Sequence, residues 1–378
     1  MAVTPAQPDR AAPDAAQARL VVVKVGSGVI APGGSLDRST LQSIASQIAR
    51  ARAAGSRVAI VSSGAVACGM PALGLTAMPT RIVEKQAAAA IGQAILIRAW
   101  DEALDPARTS VAQVLLTAAD LDDRARFLNA RHTLETLLAR GIVPIINEND
   151  SVALDEIRFG DNDRLSALAA MCIGAGHLVI LSVAPGLTDA AGTVIPSVTD
   201  IPAARAHVRH EHSGTGIGGM STKLDAAELA TSAGIRVTIA PGREPAALSR
   251  VLADERLGTD FPPRTPAAPG RKRWLGATTH PAGTITIDAG AAAALTDRGA
   301  SLLPKGITAV AGPFARGAPV RIATAAGNEI ARGLAAYSSD ELRGIMGKHA
   351  NDIEGVLGYA YCDEAVHRDD LVLTSALQ

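Results

Sequence analysis

The chain has 378 residues, 48% hydrophobic and only 2% aromatic, which is enough for two cores built on aliphatic side chains and alanine. Lys plus Arg (36) nearly balances Asp plus Glu (37), which excludes the broad basic field that gathers nucleic acid or anionic lipid. Three scattered cysteines, Cys68, Cys172 and Cys362, form no CxxC pair; they argue against a disulfide framework or zinc knuckle and fit a reducing, cytoplasmic setting.

Residues 1–18 are Ala, Pro and Gln with scattered charge and no apolar run, so a disordered lead is expected rather than a signal peptide. From Leu20, short β-branched runs alternate with longer Ala/Leu/Ile patterns of helical period, the signature of a mainly parallel sheet with helices on both faces. Strands are predicted at Leu20–Val25, Val58–Ser62, Ser110–Leu116, Val143–Ile146, Leu178–Leu181 and Arg236–Ala240. Helices are predicted at about Thr40–Ala54, Ile82–Asp101, Ala125–Arg140, Asp163–Ile173 and Ser221–Ala233. The apolar stretch Leu165–Leu187 is punctuated by Gly174, Gly176, His177 and Pro185 into helix, turn and strand, not a membrane span. The proline-rich run Phe261–Gly270 opens a linker over residues 261–281, separating a first domain at 19–260 from a second at 282–365, with a tail at 366–378. Val/Ile runs broken by Gly-Pro and Arg-Gly turns suggest that the second domain is a compact, mainly β barrel.

The polar motifs cluster where the predicted strands end, the edge at which open α/β sheets bind ligands. Lys24 closes an apolar strand and precedes Gly26-Ser27-Gly28, so its ammonium would stand beside a turn whose N–H groups can face phosphate oxygens. An ordinary strand-end lysine remains the bland alternative. Gly214–Lys223 places a glycine-rich loop, Ser221, Thr222 and Lys223 at a helix start, where the N-terminal dipole favours an anion. It is neither a P-loop nor a dinucleotide fingerprint. Asn147-Glu148-Asn149-Asp150 ends one strand and Gly160-Asp161-Asn162-Asp163 opens the next helix, groups able to hold an amino acid or to fix two lysines, or simply a turn and a helix cap. Ser62-Ser63-Gly64 ends another strand and is weak by itself.

No Ser/His/Asp or Cys/His arrangement is visible, and His207, His210 and His212 read as a solvated face rather than a metal site. The lack of a general base suits an acceptor that is already a nucleophile, such as a carboxylate attacking the γ-phosphorus of ATP.

With these motifs assembled, the chain resembles the glutamate 5-kinase family from about Leu20 to Asp369. The likeness rests on Val-Lys-Val-Gly-Ser-Gly (23–28), Val-Ser-Ser-Gly-Ala-Val (61–66), Arg-Phe-Leu-Asn-Ala-Arg (126–131), Ile-Asn-Glu-Asn-Asp (146–150), Gly-Asp-Asn-Asp (160–163), Gly-Gly-Met-Ser-Thr-Lys (218–223) and Ser-Leu-Leu-Pro-Lys-Gly (301–306). The resemblance implies a three-layer amino acid kinase (carbamate kinase-like) α/β fold with a C-terminal PUA domain, and Mg²⁺-dependent phosphorylation of the L-glutamate γ-carboxylate by ATP in proline biosynthesis. Carried over by position, Lys24 and Lys223 would touch the phosphates with Asp163 holding them, and Ser63, Asn147, Asp150, Asp161 and Asn162 would bind glutamate. ATP would meet Lys24, Gly26, Ser182, Val183, Gly218, Gly219, Met220, Ser221, Thr222 and Lys223. Proline as feedback inhibitor and a homodimer or homotetramer are implied in the same way.

Two departures stand out. The family's Thr-Asp after the fifth strand is Ser182-Val183 here, and its Gly-Leu-Tyr-Thr-Ala-Asp-Pro is Gly186-Leu-Thr-Asp-Ala-Ala-Gly192. Ile217 also replaces a small or hydroxyl residue in the glycine loop. The lost acceptor and aromatic surface predict weaker or altered ATP binding with the phosphate lysines intact. A non-catalytic glutamate or proline sensor, an RNA-binding second domain, and the acceptors N-acetylglutamate, aspartate or carbamate are the competing readings. The mixed charge and few aromatics of the second domain count against RNA.

Overall fold

The computed structural model describes residues 19–152, 161–208, 219–264 and 281–374, without the side chains of Ala118, Asp122, Arg124 and Asp161. The expected N-terminal lead, Gly160, Gly214 to Gly218, His210, His212, most of the linker and the last four residues lie outside the described residues.

The first domain runs β1 (Leu20–Val25), α1 (Ser27–Ile30), α2 (Arg38–Ala53), β2 (Arg57–Ser62), α3 (Ala65–Gly69), α4 (Ile82–Leu104), β3 (Val111–Leu116), α5 (Ala118–Asp122), α6 (Arg124–Ala139) and β4 (Val143–Glu148). It continues with α7 (Asp161–Ile173), β5 (His177–Ser182), α8 (Ile201–Ala204), α9 (Met220–Ser232), β6 (Arg236–Pro241), α10 (Ala247–Leu252) and β7 (Thr259–Phe261). The sheet order is β3-β4-β2-β1-β5-β6-β7, parallel throughout except for β7, which is antiparallel to β6. The chain leaves β1 for β2 on one side and reaches β5 on the other, so the crevice at the end of β1 is a topological switch point.

The two faces of the sheet carry separate cores. Val21, Val23 and Val25 join Ile44, Ile48, Leu96 and Trp100 on one face; Leu20 and Val22 join Leu134, Leu165, Ala169 and Leu224 on the other. Strand alternation therefore turns Lys24 toward the second face, where α7 and α9 pack. Local signals set the helix starts: Asp37 accepts from Thr40 N–H at 3.0 Å to cap α2, and Asp123 accepts from Arg126 N–H at 2.9 Å to cap α6. Helices α3 and α4 touch backbone to backbone, since a Cβ on Gly92 would stand 1.7 Å from the Ala65 carbonyl oxygen. That contact anchors α3 directly behind the Ser62-Ser63 strand end.

The predicted strands and long helices appear within one to three residues. Strand β4 is longer than expected, through Glu148, because Leu115 and Leu116 of β3 pair with Asn147 and Glu148. Phe261, expected to open the linker, is the buried last residue of β7 opposite Val237. Short helices such as α1, α3 and α5 span too little sequence to show a period.

The second domain contains β8 (Gly283–Ile287), α11 (Ala289–Arg298), β9 (Ile307–Ala311), β10 (Pro319–Thr324), β11 (Glu329–Leu334), α12 (Ser339–Ile345), α13 (Ile353–Leu357) and β12 (Leu371–Leu373). Its five-stranded mixed sheet, β12-β11-β10-β8-β9, encloses Ile285, Leu295, Val320, Ile322, Tyr337 and Leu342. The expected tail at 366–378 is corrected by this sheet: Val366 is buried and bridges Leu302, and β12 pairs with β11. A segment of three strand residues beside charged Arg368-Asp369-Asp370 carries too short a pattern to read as a strand.

This segment also joins the domains. Arg131 of α6 is buried and bonds Glu135 at 2.6 Å, Asp369 at 2.9 Å and Asp370 at 3.2 Å. Around it Leu128 packs with Leu334 and Val372, the Tyr361 hydroxyl donates to Asn129 at 2.7 Å, and Arg316 lies over the Tyr361 ring.

Candidate active site

Lys24, from the end of β1, and Lys223, from the first turn of α9, converge on one carboxylate. Asp163 of α7 is wholly buried; its Oδ1 is 2.6 Å from Lys24 Nζ and its Oδ2 accepts from Lys223 Nζ at 3.1 Å. The Thr222 hydroxyl donates to the same Oδ2 at 2.8 Å. Burial alone would push the Asp163 carboxyl up, but the two ammonium groups and these hydrogen bonds outweigh it and hold it at about 2. Burial draws the Lys223 ammonium below its ordinary value, opposed by Asp163 and reinforced by the charge of Lys24. The three side chains thus carry one net positive charge, nearly shut off from water, which suits an incoming phosphoryl group.

The surroundings extend this charge. Gly26 precedes α1 and donates its N–H to Leu181 O at 3.2 Å, which turns the first N–H groups of α1 toward the same edge. Gly219 stands at the N-cap of α9 without a side-chain cap, Met220 packs against the core, and Ser221 is exposed in the first turn. Ser182 is buried and its Oγ accepts from Ala184 N–H at 3.3 Å, while Val183 is 63% exposed and lies against Gly28. Beyond it, Asp189 Oδ1 accepts from Ala191 and Thr193 N–H at 2.9 Å, closing a tight turn in the segment that departs from the family pattern.

A second group of predicted residues lies beside the first. Asn162, adjacent to Asp163, donates from Nδ2 to Ser63 Oγ and to Asn147 Oδ1, each at 3.0 Å. Asn147 Oδ1 also accepts from Glu148 N–H at 2.9 Å. Asn147 Nδ2 and Asn162 Oδ1 are buried and make no hydrogen bond among the described residues, a costly arrangement that leaves one donor and one acceptor for a ligand. Gly64, at φ 106°, frees Ser63 from the strand by a left-handed turn open to glycine. Asp150 is half-buried in the turn after β4; Asp161 is the first residue of α7, with its side chain outside the description, as is all of Gly218.

Sequence reasoning missed the supports behind these groups. Trp100 Nε1 donates to the buried Ser62 Oγ at 2.9 Å, and Gln93 Nε2 donates to Glu148 O at 3.3 Å, so α4 braces two strand ends. A lone tryptophan on the inner face of a predicted helix, needing a partner for its N–H, is the signal that could have pointed there.

Residues 19–241 match the amino acid kinase family, and residues 283–357 match the PUA domain. A glutamate 5-kinase of Geobacter sulfurreducens is 47% identical over 361 residues, spanning 93% of this chain and 97% of its own. One from Klebsiella pneumoniae subsp. pneumoniae is 45% identical over 366 residues, 94% and 99% of the two chains. Among solved structures, a carbamate kinase of Giardia superposes with a TM-score of 0.50 at 17% identity, over 66% of this chain and 100% of that one, a likeness of fold alone. With its mainly parallel sheet, its strand-end Lys24 and helix-start Lys223 meeting on Asp163, and its second domain, the chain belongs to the amino acid kinase family, among the glutamate 5-kinases that match it along nearly their whole length.

Proposed function

We propose that this chain transfers the γ-phosphoryl group of ATP to the γ-carboxylate of L-glutamate, giving L-glutamyl 5-phosphate, the first step of proline biosynthesis. The observation that carries the reading is the buried Lys24–Asp163–Lys223 cluster, with the unspent amide groups of Asn147 and Asn162 next to it. In the reaction a carboxylate oxygen attacks the γ-phosphorus, the bond to the β-phosphate oxygen breaks, and ADP leaves; no proton has to be removed from the nucleophile. Lys24 and Lys223 would neutralise charge on the transferring group, and Asp163 would keep both ammonium groups in place. Ser63, Asn147, Asp150, Asp161 and Asn162 would hold glutamate, and Gly26, Ser182, Val183 and Gly218 to Lys223 would line the nucleotide. Among the described residues no three His, Cys, Asp or Glu side chains gather to hold a metal, so Mg²⁺ would enter on the phosphates of ATP, completed by water.

Proline as a competing inhibitor, assembly as a homodimer or homotetramer, and a cytoplasmic location belong to the same proposal. Three free thiols, Cys68, Cys172 and Cys362, support a reducing compartment, and no described helix is long and apolar enough to cross a membrane. The test is ATP- and Mg²⁺-dependent hydroxamate formation with glutamate, N-acetylglutamate and aspartate. Product from glutamate alone, lost in Lys223→Ala, is the expected result. Product from another acceptor, or none with any, would refute it.

A further inference from the structure

Arg243 stands in the turn after β6, with its side chain 44% exposed, so its substitution opens no core; its guanidinium nevertheless points inward at a backbone carbonyl. Nε and Nη2 both donate to Val29 O at 3.2 Å, and Nη2 lies 3.5 Å from Oδ2 of Asp37, the residue that caps α2. Val29 belongs to α1, a helix of four residues, whose last carbonyls find no partner within the helix. So short a helix does not hold its own shape, because fixing one turn costs more than its few hydrogen bonds supply.

Contacts from two strands grip α1 at both ends instead. At its start the Gly26 N–H donates to Leu181 O of β5 at 3.2 Å. At its end Arg243 holds Val29 O, and Gly242 lets the turn after β6 close down: a Cβ on Gly242 would stand 2.9 Å from Leu181 Cβ and 2.9 Å from Val29 Cγ1. Gly242 also donates its N–H to Ser182 O at 2.8 Å, which mounts the arginine on β5 as well as β6. What this grip fixes is the glycine turn beside Lys24, since a Cβ on Gly26 would come 3.7 Å from Lys24 Nζ. A small rotation of α1 would move its first N–H groups off any phosphate oxygen that Lys24 holds.

We propose that Arg243 is a positioning residue for the nucleotide: by fixing the Val29 end of α1 it sets the Gly26–Gly28 turn against the phosphates of ATP. This rests on the proposed function in taking Lys24 and that turn as the phosphate side of the site. The acceptor side, at Ser63, Asn147 and Asn162, hangs on other elements and does not feel the arginine.

The experiment measures MgATP binding by calorimetry, and hydroxamate formation with ATP and glutamate varied in turn, for the full chain and for Arg243→Met, Arg243→Lys and Asp37→Asn. Arg243→Met keeps an apolar stem and removes every donor; it is expected to weaken ATP binding and raise the KM for ATP roughly tenfold, with the KM for glutamate changed less than about twofold. Arg243→Lys, with one compact donor group in place of the fork, is expected to recover part of this, to about threefold. Asp37→Asn keeps the cap of α2 and drops the ion pair, so both KM values are expected to stay within about twofold. Unchanged ATP affinity in Arg243→Met, or an equal rise in the KM for glutamate, would overturn the proposal. So would Asp37→Asn matching Arg243→Met, which would make the arginine a fastener of α2 alone. A wild type that binds MgATP but forms no hydroxamate would refute the kinase reading by itself, because calorimetry still decides the role of Arg243.

Discussion

Asp163 stands between two lysines that would otherwise repel, and its neighbour Asn162 reaches Ser63 and Asn147, so adjacent positions on α7 serve the phosphate and the acceptor sides. The separation should show in kinetics. Asn162→Ala removes a hydrogen-bonding group from the acceptor side only, so the KM for glutamate is expected to rise about tenfold while the KM for ATP changes less than about twofold. Equal rises in both would contradict the assignment. Val183 is exposed beside Gly28 and offers no hydrogen bond, so Val183→Asp is expected to lower the KM for ATP several-fold without moving that for glutamate. An ATP KM in the parent chain already as low as in typical relatives, unchanged by the variant, would contradict a nucleotide role for this departure.

At the scale of elements, alternation along β1 turns Lys24 toward the face where α7 and α9 pack; the sequence showed a lysine closing an apolar strand beside a glycine turn, but not which helices it meets. The convergence of Lys223 on Asp163 was not readable either, because it depends on how α7 and α9 pack over the sheet. The Trp100 and Gln93 supports escaped for the same reason: their partners, Ser62 and Glu148, are distant in sequence. Another hidden feature is at the start of β5, where His177 is buried and its Nε2 lies 2.9 Å from the Thr238 hydroxyl of β6. Burial, reinforced by the charges of Arg236 and Arg19, holds the ring at about 3, against an ordinary value of 6.5. The unfolded chain takes up this proton first, so stability present above pH 6.5 drains as pH falls toward 3. Between pH 7 and pH 5 the wild type is expected to lose about 2 kcal/mol more than His177→Gln in urea unfolding. Parallel losses would show that the histidine does not titrate between the two states.

Across the whole molecule, the second domain is fastened to α6 by Arg131, whose carboxylate partners Asp369 and Asp370 lie 238 and 239 residues away. No local pattern could reveal that clamp, and the same blindness made residues 366–374 look like a tail. The fold class and the polar loops were legible because periodicity and turn chemistry are local; the domain joint was not, because charged residues in a short segment read as solvated until a buried partner is seen. Removing one side of a buried pair strands the other, at a cost of about 3–5 kcal/mol. Asp370→Asn is therefore expected to split thermal unfolding into two transitions, the second domain leaving first, as seen by calorimetry and by proteolytic release of its fragment. A single transition at the wild-type temperature would show that the clamp does not couple the domains.

The central claim is that a glutamate carboxylate oxygen is the nucleophile at the γ-phosphorus. It is tested most directly by following ¹⁸O from γ-carboxylate-labelled glutamate through the reaction in the presence of hydroxylamine. Hydroxylamine attacks the acyl carbon of the product and breaks its bond to oxygen, so the released phosphate is expected to carry one ¹⁸O for each hydroxamate formed. Unlabelled phosphate, released at the same rate with or without glutamate, would mean that water is the acceptor and would contradict the account.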